Sequence, residues 1–324
     1  MQMHRIKLLI CCLLVLLMSA CGQGKRANTE NNERTNSKNL LVTNSDALEM
    51  LIGLGATENI IGINDVAMST FSVKDLNPSA GSWQSPNIEA IVNLNPDMVV
   101  SYVDYPNPVG FEDKLEPFNV SVERINCYYM SEFHSDISRL ASLVGKENMA
   151  DSMINDFDRI VDMIKKAVAD IDVQKKVYIE FGDFTAMGAE SGNNEIIELA
   201  NAINIAAKLK IQYPKISTEW LLEEDPDIIL KIIPSETITE TLCQKLVSRA
   251  GWDKLSAVKN KQVYLISNDL CSGPRGMIGS LYVAKWCHPE RFASIDPDSI
   301  HTYWMKKYYG MTADRDKFVF SLKN

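Results

Sequence analysis

Five side chains in loops of this 324-residue chain have the chemistry needed to hold a small molecule. They are Trp83, Tyr102, Tyr105, Phe184 and Arg275. An aromatic ring offers a broad apolar face, a phenol can hydrogen-bond a ligand or coordinate iron as phenolate, and a guanidinium can hold a carboxylate or phosphate through two bonds. Each lies in a loop predicted to follow a strand, which is where ligands bind in an open α/β sheet.

These residues also have structural interpretations, and the sequence leaves them open. Trp83 is compatible with a core position, and both tyrosines are compatible with partly buried positions in a loop. Arg275 is compatible with a helix cap or a surface ion pair beside a helix that begins near Met277.

The chain lacks the common catalytic and metal-binding motifs. Ser191 stands one place too late for a G-x-S-x-G nucleophile, Gly53-Leu54-Gly55 lacks the third glycine of a dinucleotide loop, and neither a P-loop nor H-E-x-x-H occurs. His134, His288 and His301 do not have the spacing of a metal site. We therefore expect no catalytic residues, no metal site and no permanently bound cofactor.

Residues 1–21 have the layout of a secretory signal. Arg5 and Lys7 precede an apolar run at 8–18, which ends in Ser19-Ala20-Cys21. This run is too short to span a bilayer, which takes about 20 apolar residues in a helix. A cysteine directly after two small residues resembles the bacterial lipoprotein signal, so we predict that Cys21 carries a lipid on the extracytoplasmic face of the cell membrane.

Residues 22–38 are predicted to be a disordered tether, because their composition cannot bury enough apolar surface to fold. The net charge of −9 argues against a nucleic-acid partner, since phosphate binding needs clustered lysine and arginine. Four cysteines remain after Cys21 and lack paired short spacing, so we expect small buried side chains: Cys127, Cys243, Cys271 and Cys287.

Short β-rich runs alternate with helical patterns along the rest of the chain. The runs are LLV (40–42), IIGI (60–63), MVV (98–100), VSVERI (120–125), KVYIEF (176–181), DIILKII (227–233) and QVYLIS (262–267). This alternation predicts α/β structure with largely parallel sheets. Between the two groups of strands, apolar residues recur with helical period at 147–171. We therefore predict an N-terminal lobe at 39–145, a connecting helix at 146–172 and a C-terminal lobe at 173–324.

One segment occurs in both predicted lobes. Residues 88–100 and 218–230 each read as a short amphipathic helix with an acid in its first turn, a Pro-Asp stop and a buried strand. A constant offset separates Glu89 from Glu219 and each Pro-Asp from its counterpart. We predict Ser85 as the N-cap of the first of these helices, with Pro86 at its first position, and Ser45 as the N-cap of an earlier helix. Helix-dipole chemistry explains an acid at either site but not the matched pair.

These motifs resemble the solute-binding proteins of ABC importers for iron siderophores, haem and cobalamin. The resemblance covers residue 39 to about residue 310 and rests on SWQSPNIE (82–89), LNPD (94–97), STE (217–219), PD (226–227), GPR (273–275), AK (284–285) and HPE (288–290). It implies two Rossmann-like lobes with central parallel sheets, joined by one long rigid helix, with the ligand cleft between them. It also implies that a glutamate on each lobe docks on arginines of the permease, here Glu89 and Glu219. Trp83 falls where the cobalamin-binding member has a tryptophan in contact with the ligand.

The resulting hypothesis is a monomeric, lipid-anchored solute-binding protein that delivers a ferric siderophore to an ABC permease with its ATPase. Cobalamin or haem in the same role is the alternative, and the sequence does not choose among them. An exported enzyme with an unfamiliar site is a further hypothesis, which the absence of catalytic motifs disfavours. A structural or adhesive surface lipoprotein is the last hypothesis, and it does not explain the paired glutamates.

Overall fold

The computed structural model describes residues 37–65, 79–82, 84–103, 110–234 and 237–322, which form α/β structure. In chain order the strands are β1 (Leu40–Val42), β2 (Ile60–Ile63), β3 (Gly81–Ser82), β4 (Ser85–Pro86), β5 (Met98–Ser101), β6 (Ser121–Arg124), β7 (Lys176–Phe181), β8 (Ile203–Asn204), β9 (Ile228–Ile233), β10 (Val263–Ser267) and β11 (Val319–Ser321). The helices are α1 (Ser45–Gly53), α2 (Ile88–Leu94), α3 (Phe111–Leu115), α4 (Phe133–Val144), α5 (Glu147–Val168), α6 (Asn194–Leu199), α7 (Thr218–Glu224), α8 (Glu240–Val247), α9 (Ser256–Lys259), α10 (Gly276–Cys287), α11 (Pro297–Tyr309) and α12 (Arg315–Phe318).

The two central sheets have the same strand order. The first is ordered β2-β1-β5-β6, and all of its pairs are parallel. The second is ordered β8-β7-β9-β10-β11, so its first four strands repeat the first sheet and β11 adds an antiparallel edge. Parallel strands need crossovers that cover the sheet faces, which explains why β9 is buried along its whole length. The predicted fold of two α/β lobes with parallel sheets is confirmed.

The repeated segment forms the same capped helix in both lobes. The Asn87 side chain accepts a hydrogen bond from the backbone N–H of Ala90 at the start of α2, at 3.1 Å. The Ser217 hydroxyl accepts one from the backbone N–H of Trp220 at the start of α7, at 3.2 Å. The prediction that Ser85 caps α2 is wrong, because Ser85 and the following proline pair with β3 as an antiparallel strand.

The Pro-Asp stops of the repeat also have matched contacts. The Asp97 carboxylate accepts a hydrogen bond from the backbone N–H of Asn39, just before β1, at 2.8 Å. The Asp227 carboxylate accepts one from the backbone N–H of Lys176, the first residue of β7, at 2.9 Å. Each aspartate therefore ties its own strand to the neighbouring strand of the same sheet.

The connecting helix α5 spans 22 residues and is about 33 Å long. Its buried face has the predicted helical period and includes Met153, Phe157, Ile160 and Ile164. The helix ends at Val168, three residues before the end of the apolar pattern at residue 171 and four residues before the predicted end at residue 172. The Asn201 side-chain amide donates to the carbonyls of Val168 and Ile171, at 3.1 and 3.2 Å, and so satisfies groups that the end of the helix leaves open.

Contacts other than α5 also join the two halves of the chain. Helix α11 packs against α1, and its Tyr308 hydroxyl donates to the Asp156 carboxylate on α5 at 2.8 Å. The largest hydrophobic cluster contains residues that surround both sheets. Because packed interiors resist small displacements, this shared core favours a fixed arrangement of the sheets.

Several predicted features lie outside the described residues: the signal peptide, Cys21, the tether up to residue 36, Trp83 and Tyr105. Within the described ranges, none of the helices has the length and apolar character needed to cross a membrane.

Candidate functional site

A cavity of about 350 Å³ lies between the two sheets. Residues preceding α5 contribute Asp46, Tyr102, Asn126, Tyr128 and Tyr129 to its lining. Residues following α5 contribute Phe181, Thr185, Met187, Asn193, Gln212, Tyr213, Asn268 and Ser272. The lining thus combines aromatic faces and neutral hydrogen-bonding groups with one carboxyl group, that of Asp46, and such a mixture is typical of a site for a small molecule.

The strands explain why these residues meet. Tyr102 follows β5, Asn126 lies just beyond β6, Phe181 ends β7 and Asn268 follows β10. All are at the carboxyl ends of parallel strands, where an open α/β sheet binds ligands. The cavity therefore lies at the edge of both sheets where the sequence analysis placed the candidate binding loops.

Tyr102, which the sequence analysis selected as a candidate ligand contact, lines the cavity, and its phenol is held in place. The backbone N–H of Ser45 donates to the Tyr102 hydroxyl at 3.1 Å, and the Arg124 guanidinium donates to the Tyr102 carbonyl at 2.8 Å. Burial, which disfavours the charged form, raises the pKa of Tyr102 well above its ordinary value. Tyr102 is therefore a neutral phenol near pH 7 and suits hydrogen bonding better than phenolate coordination.

The segment after β6 forms one wall of the cavity and contacts the other half of the molecule. The Tyr128 and Tyr129 rings meet edge to face with their centroids 5.1 Å apart. The Tyr128 hydroxyl donates to the Asn193 side chain at 2.8 Å, and the Tyr129 hydroxyl donates to the Glu190 carbonyl at 3.2 Å. A Cβ at Gly192 would lie 2.8 Å from the Tyr128 ring, so glycine allows this close approach.

Two aromatic side chains expose much of their surface at the cavity. Phe181 is 47% exposed and Tyr213 is 41% exposed. Both belong to the lining, so this apolar surface faces the space that a ligand would fill. Exposed apolar surface of this kind marks ligand-binding and interaction sites.

Phe184 does not line the cavity, in contrast to the prediction. Its ring meets the Trp252 ring edge to face at 6.2 Å, and the Arg249 guanidinium lies 4.7 Å from its centroid. The chain turns tightly here, because the Phe181 N–H donates to the Thr185 carbonyl at 2.9 Å and both Gly182 and Phe184 have positive φ. This turn directs Phe184 to the hydrophobic cluster beside α7, while the two ends of the turn line the cavity.

Arg275 has an internal partner and does not line the cavity. Its side chain is fully buried and donates to both carboxylate oxygens of Glu49 on α1, at 2.5 and 3.1 Å. Asp269 lies 3.7 Å away, and the Phe318 ring centroid lies 5.5 Å away. Neither the ligand contact nor the surface ion pair considered from the sequence matches this position, because the pair is buried and joins the N-terminal helix to the C-terminal half.

Among the described residues that line the cavity, Asp46 is the one with a charged side chain. It lies in the first turn of α1, which is capped by the Asn44 side chain and not by the predicted Ser45. Its carboxylate accepts a hydrogen bond from the Ser272 hydroxyl at 3.5 Å. Burial, reinforced by the negative charges of Glu49 and Asp269, raises the pKa of Asp46 to about 7.

The predicted docking residues Glu89 and Glu219 are both exposed, each in the first turn of its helix. The backbone N–H of Glu219 itself and the Ser217 hydroxyl hold the pKa of Glu219 below its ordinary value. Each helix must run back along the sheet to reach the strand that follows it. The first turns of α2 and α7 therefore lie toward the strand ends from which the cavity residues project.

The sequence analysis missed Asp46 and the segment 126–129. That segment directly follows the predicted strand VSVERI, so the strand-end rule that selected the other loops would have selected it too. Among the described residues, no group of His, Cys, Asp and Glu side chains could hold a metal ion. The four predicted buried cysteines are buried and have free thiols.

Comparison with known proteins identifies related chains. A family model described as a periplasmic binding protein matches residues 40–270. The chain is similar to the molybdate-binding protein MolA of Haemophilus influenzae, with 23% identity over 307 residues that cover 83% of this chain and 85% of MolA. It is also similar to the vitamin B12-binding protein of Pectobacterium atrosepticum, with 25% identity over 202 residues that cover 60% of this chain and 71% of the relative.

Solved structures agree with the fold. The structure of MolA bound to molybdate matches with a TM-score of 0.75 at 20% identity, covering 86% of this chain and 95% of MolA. The TroA-like periplasmic binding protein FepB of Veillonella parvula matches with a TM-score of 0.72 at 21% identity, covering 89% of this chain and 95% of FepB.

Proposed function

Since the chain belongs to the periplasmic binding protein family, as a solute-binding protein of the ABC-importer type, we propose that it captures an iron chelate of the ferric siderophore class and delivers it to the permease. The cavity between the sheets carries this proposal. Phe181 and Tyr213 expose apolar rings there, beside amide and hydroxyl groups. Rings and neutral hydrogen-bonding groups suit an organic shell around a metal ion.

Cobalamin or haem in the same role is the alternative. The similarity to the vitamin B12-binding protein of P. atrosepticum favours cobalamin, and a corrin or porphyrin also offers a flat face to aromatic side chains. The similarity to MolA adds molybdate as a further ligand to test. Molybdate is a small dianion without an apolar face, so it would leave the exposed rings of Phe181 and Tyr213 without a partner.

We propose Tyr102 as a hydrogen-bonding contact of the ligand, and we retain Trp83 and Tyr105 as proposed contacts from the sequence pattern. Phe181 takes the place of Phe184 as the aromatic contact of its loop. Arg275 is reassigned to the buried pair with Glu49.

We further propose that Glu89 and Glu219 dock on the two permease subunits. This docking proposal is supported by the matched positions of the two glutamates in two structurally equivalent units. Each glutamate is exposed in the first turn of a capped helix. Charges at such a contact set orientation and association rate, and salt weakens their effect. In this proposal a lipid on Cys21 and the tether at 22–38 keep a monomer near the permease and its ATPase on the extracytoplasmic face.

The ligand is tested by titrating protein that lacks residues 1–21 with ferric siderophores, haemin, cobalamin and molybdate while following tryptophan fluorescence. We expect a saturable change with at least one ferric siderophore. Phe181→Ala or Tyr213→Ala should weaken that binding several-fold, because an aromatic contact is worth about 0.5–1.5 kcal/mol beyond its buried area. Tyr303→Ala is the matched control, since Tyr303 is 45% exposed on α11 and does not line the cavity.

Binding of cobalamin, haemin or molybdate without any ferric siderophore would replace the proposed ligand and leave the importer role intact. Binding of none of these compounds would remove the ligand proposal.

Docking is tested by uptake into cells whose own copy of the protein is replaced by the variant. Glu89→Ala combined with Glu219→Ala should abolish uptake and leave ligand affinity unchanged. Glu240→Ala is the matched control, because Glu240 is an exposed acid in the first turn of α8, which is capped by the Thr239 side chain. Lost ligand affinity in the double variant, or unchanged uptake, would show that the docking assignment is wrong.

A further inference from the structure

The charged side chains in the described lining of the cavity are of one sign only. Asp46 is negative when ionised, and among the described residues of the lining there is no lysine, arginine or histidine. The undescribed stretches between residues 37 and 322 do not supply an excess of positive charge, because by sequence their charged residues are Lys74, Asp75, Asp104 and Glu236.

The surroundings of Asp46 add negative charge behind the lining. Glu49 lies one turn later on α1, and Asp269 approaches from the end of β10. Arg275 is the nearby cation, and it makes two hydrogen bonds to Glu49. One guanidinium therefore stands among three carboxyl groups, so their combined charge is negative once all three are ionised.

Resting on the proposed function, we propose that the cavity selects iron chelates without net negative charge, such as neutral or cationic tris-hydroxamates, and that Asp46 is the residue that sets this selectivity. A trianionic ferric tris-catecholate would bring three negative charges against this carboxyl group without a cation in the described lining to offset them. A neutral chelate has no net charge for Asp46 to repel and meets mainly rings, amides and hydroxyls, whereas a cationic chelate gains an attraction to Asp46.

Ionisation of Asp46 near neutral pH gives the selectivity a pH dependence. The charged or titratable groups that face Asp46 are Glu49, Asp269, Arg275, Tyr102, Tyr128 and Cys127. Burial raises the pKa of both tyrosines and of the Cys127 thiol, so these three stay neutral near pH 7. Affinity for a cationic chelate should therefore rise from pH 6 to pH 8, whereas affinity for a neutral chelate should stay nearly constant.

The test uses protein that lacks residues 1–21 and three ferric probes of different charge. These are the neutral tris-hydroxamate ferrichrome, the cationic tris-hydroxamate ferrioxamine B and trianionic ferric enterobactin. The wild type should bind at least one tris-hydroxamate and bind the tris-catecholate most weakly. Asp46→Asn should weaken the cationic probe about tenfold, leave the neutral probe within about threefold and strengthen the trianionic probe. Asp151→Asn removes one exposed carboxyl group from α5 and should change none of these affinities.

Tris-catecholate binding as tight as tris-hydroxamate binding in the wild type would overturn the charge selectivity while leaving the proposed function standing. An unchanged order of affinities in Asp46→Asn would overturn the role of Asp46. If that variant fails to fold, the wild-type pH profile decides, and equal profiles for the cationic and neutral probes would refute the proposal. Binding of no chelate at all would remove the proposed function and this inference together.

Discussion

The buried pair of Arg275 and Glu49 gives a direct test of how the two halves of the molecule are held together. We consider Arg275→Met, which keeps most of the side-chain volume and removes the charge. The Arg275 and Glu49 side chains are 0% and 3% exposed, so the variant would leave a buried carboxylate near Asp46 and Asp269. Removing one partner of a buried pair costs about 3–5 kcal/mol.

This loss should be measurable by urea denaturation followed by tryptophan fluorescence, and as a fall in Tm of about 10 °C. Arg291→Met is the matched control, because its pair with Asp170 is 43% and 67% exposed and such surface pairs contribute about 0–1 kcal/mol. Replacing both partners, Glu49→Leu with Arg275→Met, should recover most of the lost stability because no charge is then left buried.

The effect also has a defined pH dependence. Burial already raises the pKa of Glu49 above its ordinary value, and removal of Arg275 should raise it further. The folded variant then binds a proton more tightly than the unfolded chain does. At a pH above the raised pKa of Glu49, the free energy of unfolding of the variant is therefore below that of the wild type by the whole expected amount. This difference becomes smaller as the pH falls through that pKa, because Glu49 then becomes protonated in the folded variant.

If Arg275→Met lowers the free energy of unfolding by less than about 1 kcal/mol, the pair contributes no more than an exposed ion pair does. That result would refute its role as a structural link between the two halves of the molecule. Abolished ligand binding in a variant of native stability would instead return Arg275 to the binding site.

Three further predictions concern stability. Tyr128→Phe should lower the free energy of unfolding by about 1 kcal/mol in urea denaturation, because the buried side-chain oxygen of Asn193 loses its hydrogen-bond donor. An unchanged free energy of unfolding would contradict that hydrogen bond. Asn201→Ala should lose about 1–2 kcal/mol, because it removes the amide that closes the end of α5 and places alanine at positive φ; a shift within 0.5 kcal/mol would count against this. Burial lowers the pKa of His301 to about 3, so wild-type stability should fall as pH drops below about 6.5, and His301→Leu should flatten this dependence in denaturation measured from pH 7 to pH 4; parallel curves would contradict it.

Much of the fold follows from local patterns in the sequence. The runs LLV, IIGI and KVYIEF coincide with β1, β2 and β7, and the other predicted strands differ by at most one residue at either end. The repeat at 88–100 and 218–230 forms matched helix-strand units because its caps, stops and apolar residues all act within a few positions. Helix ends were less predictable where the deciding partner is distant, as Asn201 is for α5.

The candidate site was predictable as an edge of the sheets but not as a set of side chains. Sequence selected the loop at 182–184, which directly follows Phe181, yet only the turn, with positive φ at Gly182 and Phe184, decides that the Phe181 ring lines the cavity and the Phe184 ring does not. Sequence also marked Arg275 as a charged residue in a strand-end loop. Its partner Glu49 is 226 positions away, so no local pattern could show that the guanidinium is buried.

By itself, the sequence determined the parallel α/β elements, the long connecting helix and the matched positions of Glu89 and Glu219. Each of these depends on residue type and on spacing within one element. Tertiary structure alone decided that Asp46 and the tyrosines at 128 and 129 line the cavity while Arg275 is buried beneath it. The reason is that burial, pairing and pKa are properties of the space between elements, and that space exists only once distant segments have packed together.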